Sequence, residues 1–409
     1  MKFNFGLICN NVRGLRTSIN KRQTLFQRFK EMVKHTGFVF MQETHSDPEI
    51  ENIWSEEFGS DNSLIFGHGA SNARGVCIGI VGDFGQIIKN KIIDPNGRFI
   101  IIELTIADKP FVIINAYNEN VESQQVGFWD TLLSHMENIC SNPETNIIIA
   151  GDFNLTFDMN LEAQGGNPTL KKNSIARFLR IKERFDLVDI WRIRNPSKKR
   201  FTFRQQHVTG FLQRRLDFLF ISNSLQTLAK NVKIETAVMT DHSPLISSFK
   251  SQTEQNKRGA NFWKYNTSLN DNQDYISKIE SLIAEKVIEY NTEHITDKQI
   301  IWELLKYEIR KFTMKFSKEL AREKKLELEN LEQKLKFFEE SNAALTNPEY
   351  VQTKANLEAI LIKKPRVLES ARNVKNMNTT SAPVNISLIL KKEMLNYLLY
   401  RHSPVRVAI

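Results

Sequence analysis

Between Phe3 and Phe249, polar residues of a few chemical types stand where short apolar runs end. Asn11 follows FGLIC (Phe5 to Cys9), Glu43 closes FVFMQE (Phe38 to Glu43), and Tyr117 closes FVIINAY (Phe111 to Tyr117). Asp152 and Asn154 follow the run from Ile147 to Ala150. Where strands alternate with helices, ligands gather at the carboxyl ends of strands, because the strand fixes the backbone while the next loop presents side chains. Singly, each residue has a plainer role: Asp and Asn cap helices and make turns, and a Glu after a strand is commonly just solvated. Together they point to a ligand site. RRLDFLFIS (Arg214 to Ser222) adds Asp217 inside an apolar run, where an ionised carboxylate is costly without a partner. His242 in TDHSP (Thr240 to Pro244), with Asp241 beside it, is the candidate partner. A carboxylate bonded to one imidazole nitrogen fixes the tautomer and orientation of the other, as acid–base catalysis requires. A contact of roughly 2.6 to 3.2 Å between Asp217 and His242 is therefore expected.

The elements that must hold these residues read as mixed α/β. GVCIGIV (Gly75 to Val81), RFIIIELTI (Arg98 to Ile106) and NIIIAGDFN (Asn146 to Asn154) join the runs above as β-branched segments. Between the first two runs, Leu25, Phe26, Phe29, Met32 and Val33 recur at helical spacing. Buried sheets flanked by helices follow over residues 1–250. SQTEQNKRG (Ser251 to Gly259) opens a polar linker placed at 251–262, after which strand-like runs almost vanish. Residues 263–372 read as a helical connector, and Leu304, Leu305, Ile309, Leu320, Leu328, Leu331 and Leu335 form a broken apolar stripe. A heptad coiled coil is one reading of that stripe, but the interrupted spacing after Leu320 favours an amphipathic arm, with an antiparallel helix pair as its form. Residues 373–409, polar and then apolar, have no evident role.

A chain of 409 residues, 41% of them hydrophobic, can bury a sizeable core and suits one large domain with an appendage. The formal charge of +9 attracts polyanions without specific contacts. The three cysteines, Cys9, Cys77 and Cys140, form no CxxC pair, which excludes a disulfide framework and a cysteine zinc site and fits a reducing compartment. With no signal-type apolar run near Met1 and no stretch of the ~20 apolar residues a spanning helix needs, the expectation is an intracellular protein of nucleus or cytoplasm, not secreted and without membrane contact.

The segments NNVRGLR (Asn10 to Arg16), QET (Gln42 to Thr44), GDFN (Gly151 to Asn154), RRLDFLFIS and TDHSP, in this order, resemble the endonuclease/exonuclease/phosphatase superfamily. More narrowly they resemble the apurinic-type endonuclease of non-LTR (long interspersed element) retrotransposon polyproteins, over about residues 1 to 250. DIWR (Asp189 to Arg192) with KKRFTFR (Lys198 to Arg204) is similar to the same branch, and WKYNTSL (Trp263 to Leu269) resembles its connector to the reverse transcriptase. The resemblance implies a four-layer α/β sandwich of two packed mixed sheets flanked by helices, followed here by an α-helical arm. It also implies a metal-dependent DNA endonuclease that nicks duplexes to leave a 3′ hydroxyl. The polymerase of such polyproteins needs an Ala-Asp-Asp core, and no Ala-Asp-Asp occurs, so reverse transcription is not expected of these residues.

Carried over, the resemblance implies that Glu43 is the main metal carboxylate, with Asn11 and Asp241 completing the metal surroundings. Asp152 would activate water, Asn154 and Tyr117 would hold the scissile phosphate, and Asp217 would orient His242. Thr202 and Thr240 would sit near the DNA. Oxygen donors with a single clear carboxylate suit Mg²⁺, which keeps most of its waters, with Mn²⁺ as the alternative. Arg13 stands where repair-type members often carry Asp, which weakens a repair reading, and Asn118 follows Tyr117 where many have Ala-Pro. Basic residues crowd Lys171 to Arg215; Lys198, Lys199, Arg200 and Arg204 in particular are the expected phosphate-tracking surface. The arm is a candidate contact for RNA. The competing readings are an abasic-site repair endonuclease, a phosphatase of phosphoinositides or sphingolipids, and a non-catalytic remnant that binds nucleic acid.

Overall fold

The computed structural model of the chain describes residues 3–33, 36–69, 73–82, 84, 87–207, 210–251, 265–293, 295, 297–341 and 347–377. Two compact units emerge, one of residues 1–255 with 331–362, the other of 256–330 with 363–409.

The first unit contains two six-stranded mixed sheets. One is built from β1 (Asn4–Asn11), β2 (Gly37–Gln42), β3 (Asn62–Gly67), β4 (Val76–Val81), β14 (Ala229–Ile234) and β15 (Leu245–Lys250), in the order β14-β15-β1-β2-β4-β3. The other is built from β5 (Ile88–Ile93), β6 (Phe99–Ile106), β7 (Lys109–Tyr117), β8 (Asn146–Asp152), β10 (Leu187–Asp189) and β13 (Asp217–Ser222), in the order β10-β13-β8-β7-β6-β5. β9 (Ala163–Gln164), β11 (Phe203–His207) and β12 (Gly210–Arg214) form a small third sheet.

The central strands are apolar on both faces, and their alternation sorts side chains into two cores each. Leu7 and Cys9 of β1, Ile100 and Ile102 of β6, and Ile148 and Ala150 of β8 point into the core between the sheets. Ile8 of β1 faces the other way, onto α1 (Ile19–Val33) and α2 (Glu51–Phe58) through Phe26, Phe29, Trp54 and Phe58. Ile101, Ile147 and Ile149 face Phe128, Trp129 and Phe178 of α3 (Glu122–Ile139) and α5 (Lys172–Arg184). Helix, sheet, sheet and helix make the four-layer α/β sandwich expected from the sequence. Each fully buried aliphatic in it contributes about 1.5 to 3 kcal/mol.

Close approach explains Gly151: a Cβ there would lie 1.7 Å from the Ala116 carbonyl oxygen, so any side chain would push β8 off β7. Short helices α4 (Met159–Glu162) and α6 (Ile190–Arg194) are tied together by Arg215, whose buried guanidinium meets Glu162 and also Asp189 at 2.6 Å.

In the second unit, α7 (Gln273–Thr292) packs on the first half of α8 (Lys298–Glu340) through Tyr275, Ile279, Ile283, Leu305 and Ile309. The Tyr275 and Thr313 hydroxyls are hydrogen-bonded at 2.8 Å. Residues 331–362, which the sequence assigns to the connector, cluster with the first unit; they comprise the last turns of α8 and the first half of α9 (Pro348–Met377). The linker placed at 251–262 lies outside the described residues apart from Ser251, and so does the tail beyond 377. Among the described residues no helix is long and apolar enough to cross a membrane.

Candidate active site

Strand register gathers the polar residues. Asn11 pairs with Gln42 across parallel β1 and β2, which puts Asn11 beside the turn that begins at Glu43. Tyr117 pairs with Asp152 across parallel β7 and β8, and Asp217 pairs with Asp152 across antiparallel β8 and β13. The carboxyl ends of β1, β2, β7 and β8 and the start of β13 thus meet at one edge of the sandwich. The loops there are strained: Arg13, Glu43, Asn154 and Met239 have φ of 45°, 51°, 48° and 58°. For non-glycine residues that conformation costs about 1 to 2 kcal/mol each and persists only where the surroundings impose it. Around Glu43 they do, since its carbonyl accepts from Gly14 N at 2.6 Å and the next amides bond Gly75 O and Arg74 O at 3.0 and 3.1 Å.

One network joins the side chains. Asn11 Nδ2 donates to Glu43 Oε1 and to Asp152 Oδ2, both at 2.9 Å. His242 Nδ1 lies 2.8 Å from Asp217 Oδ2, and His242 Nε2 lies 4.0 Å from Asp152 Oδ2. Asn154 donates its backbone N–H to Asp152 Oδ1 at 3.0 Å and its side-chain amide to Asn118 O at 2.7 Å. Asn10 Nδ2 donates to the His242 carbonyl at 3.1 Å, and the Thr240 hydroxyl donates to Asn11 O at 2.9 Å. Thr202 Oγ1 accepts from the amides of Leu216 and Asp217 at 2.9 and 3.1 Å, which fixes the start of β13.

The electrostatics are those of a site rather than of a solvated surface. Burial, with Asp217 nearby, raises the Asp152 carboxyl to about 7, against the pull of His242 and Asn11. Burial works downward on the His242 imidazole, but the Asp217 carboxylate and its hydrogen bond, with Asp152, prevail and raise it to about 9. Burial, with the charges of Glu43 and Asp152, holds the Tyr117 phenol well above its ordinary value. An imidazole raised above its ordinary value and a carboxylate raised toward neutrality therefore lie side by side, both buried.

A solved AP endonuclease, LMAP from Leishmania major, superposes on the chain with a TM-score of 0.52 at 19% identity, covering 61% of this chain and 88% of that one. The first unit shares the fold of that enzyme. An AP endonuclease from Archaeoglobus fulgidus (TM-score 0.48, 16% identity, 60% of this chain and 98% of that one) and the Xenopus laevis APE2 catalytic domain (0.47, 16%, 61% and 94%) match more loosely. In sequence, the chain is 28% identical over 244 residues to the Transposon TX1 uncharacterized 149 kDa protein of Xenopus laevis. That match covers 59% of this chain and only 18% of the length of that relative. No protein-family model matches the chain.

The donors fit a hard divalent cation held mainly by one carboxylate. The Glu43 side chain is 23% exposed, and the resident oxygens suit an ion that keeps its waters. Asn11 is turned otherwise than a ligand would be, with its amide nitrogen on Glu43 and Asp152 and its Oδ1 on the Arg13 amide at 3.0 Å. Asp241 is occupied as well: its Oδ2 is ion-paired with Arg13, and its Oδ1 lies 3.5 Å from the Thr240 hydroxyl. Asp152, Asp217 and His242 also lie close enough together to hold a metal ion among themselves, with the imidazole Nδ1 engaged by Asp217 at 2.8 Å.

The expected DNA face is largely structural. Arg200 is 3% exposed and Arg204 6%; their guanidinium groups lie 2.7 and 3.7 Å from Glu339 Oε2, so neither offers its charge to solvent. Thr202 and Thr240 are buried, with hydroxyls bonded to backbone, and they brace the site from behind. Lys198, ion-paired with Glu340 at 3.2 Å, and Lys199 are exposed.

Sequence reasoning missed several neighbours of the site. His45 Nε2 lies 4.0 Å from Glu43 Oε2. Lys171 Nζ donates to Asn154 O at 2.7 Å, and Lys21 Nζ donates to Arg13 O at 3.0 Å. Burial, with Arg13 nearby, lowers Lys21 to about 8. His45 directly follows the QET segment and was within reach; Lys171 was read only as one of the basic residues between Lys171 and Arg215, and Lys21 carries no signal that separates it from solvated lysines.

Proposed function

We propose that the first unit is a metal-dependent endonuclease that hydrolyses phosphodiester bonds of duplex DNA and leaves a 3′ hydroxyl, within a retrotransposon-type protein. The observation that carries this reading is the continuous chain Asp217–His242–Asp152–Asn11–Glu43 at the strand ends. The 244-residue likeness to a transposon protein supports the biological setting.

Glu43 would hold the cation, Mg²⁺ or Mn²⁺, which when bound neutralises phosphate charge. Asp152, near neutral in pKa, takes a proton from the attacking water as oxygen bonds to phosphorus. Protonated His242 hydrogen-bonds a non-bridging oxygen as charge accumulates there, and Asp217 keeps it charged and oriented. The P–O3′ bond breaks, giving a 5′ phosphate and a 3′ oxyanion that takes a proton from solvent to become the 3′ hydroxyl. Tyr117 and Asn154 flank the phosphate position. Arg13, paired with Asp241, puts a guanidinium where a further acidic group would favour a second cation.

The test is incubation of the full chain with labelled duplexes in Mg²⁺, one intact and one carrying an abasic site, followed by polymerase extension of the products. Cleavage of intact duplex with extendable ends is expected. Cleavage confined to the abasic duplex would transfer the substrate to the repair reading, and cleavage of neither would leave a nucleic-acid-binding remnant.

A further inference from the structure

Residues 331–362 lie some eighty residues beyond the last strand of the sandwich, yet they bond to the two segments that flank His242. Arg204 brackets the histidine. Its amide donates to Asp241 O at 3.2 Å and its Nη1 donates to the Ser243 hydroxyl at 2.8 Å, one on each side of His242. Phe203 forms a β-bridge with His242, and their rings are 5.0 Å apart. The Arg204 guanidinium is buried beside that of Arg200, and the carboxylate that faces both is Glu339. From α9, Glu358 Oε1 accepts from the Met239 amide at 2.8 Å, and Lys354 Nζ donates to Thr240 O at 3.3 Å. Met239 is the left-handed residue at which the chain turns into TDHSP.

We infer that the pair of helical segments at 331–340 and 348–362 is a working part of the catalytic unit: it positions the loop 239–243, and with it His242, through Glu339, Lys354 and Glu358. This rests on the nuclease reading of the site. The physical case is one of compensation. Two desolvated guanidinium groups stand against one carboxylate, so without Glu339 the residue that brackets His242 would carry uncompensated charge. The strained turn at Met239 has its amide satisfied by Glu358 from outside the sandwich. A unit cut at residue 250, where the sequence places the domain end, would keep every catalytic side chain and lose this support.

Glu339→Gln tests the buried link but could fail to fold, so the decisive variants use the half-buried Glu358 and Lys354 of the full chain. Lys354→Ala with Glu358→Ala should lower kcat on duplex DNA by about 10- to 100-fold, the range for groups that orient catalytic side chains, with KM nearly unchanged. Glu358→Gln, which keeps the acceptor for the Met239 amide, should retain most of the rate. Amide hydrogen exchange at residues 239–243, read in chelator and so independent of turnover, should speed up in the double variant and not in Glu358→Gln. Unchanged exchange and unchanged kcat would overturn the inference. A rise in kcat would overturn it too and make the segment a brake. If the wild-type chain cuts no DNA, the nuclease reading fails while the exchange result still decides whether these helices hold the loop.

Discussion

His242 Nδ1 lies 2.8 Å from Asp217 Oδ2 with both side chains buried, so the imidazole can face a phosphate with only one nitrogen. His242→Ala should remove a factor of about 10² to 10⁴ from kcat, the usual weight of a positioned proton-transfer or charge-stabilising group. Asp217→Asn should lose a comparable share, because its amide can present the wrong partner to the ring. The double variant should be little worse than either single one. Losses that multiply would mean that the two residues act separately.

The same pair sets a pH dependence. An imidazole raised by its partner is charged below its folded pKa and loses that charge as pH rises through it. In chelated protein, the NMR titration of His242 should therefore centre near 9. Asp217→Asn removes the largest upward influence and leaves burial, which acts downward, opposed only by Asp152 and Glu43, so the midpoint should fall. In turnover, the alkaline limb of kcat/KM should move to lower pH in that variant, while an acid limb near 7 reports Asp152. A His242 midpoint near 6.5 in the wild type would remove the basis for a charged imidazole.

The sandwich was legible because its strands are continuous apolar runs bounded by polar residues, a pattern that few other elements produce. The Asp217–His242 contact was legible because a carboxylate within such a run has to be satisfied. Arg200 and Arg204 were misjudged for the complementary reason. Composition shows a positive charge but not the Glu339 carboxylate that meets it from 135 residues further along the chain, counting from Arg204. Nor could sequence show that Asn11 would donate to Glu43 rather than turn its oxygen to a cation, since both arrangements use the same residue at the same strand end. Residues 331–362 read as connector because their periodicity is helical and says nothing of what the helices pack on.

Asp241 and Glu43 should differ in metal binding. Because Arg13 already engages Asp241, Asp241→Asn should leave Mn²⁺ affinity, read by paramagnetic resonance, within a few-fold of wild type at about one ion per chain. Glu43→Gln should abolish that binding. Equal losses in the two variants would make Asp241 a ligand.

The basic segment should divide into two classes. Replacing Lys198 and Lys199 by Gln should weaken DNA binding for all sequences and flatten its salt dependence by up to about 0.9 log-log units per lost phosphate contact. Replacing Arg200 by Met removes the nearer partner of the buried Glu339 carboxylate and leaves it Arg204 at 3.7 Å, which should destabilise the fold by about 1 to 3 kcal/mol in denaturant unfolding. An unchanged salt slope in the lysine variant would show that this surface does not track phosphates, and an unchanged midpoint in Arg200→Met would show that the ion pair is not a structural one.

The most direct test of the central claim is nicking of supercoiled plasmid by the full chain in Mg²⁺, with and without excess chelator, beside Glu43→Gln. The wild type should convert supercoiled to open-circular DNA only with free metal. Glu43→Gln should be inert with an unchanged melting temperature, because the amide keeps the shape and loses the charge that holds the ion. Full nicking in chelator, or by Glu43→Gln, would contradict a metal-dependent nuclease built on this site.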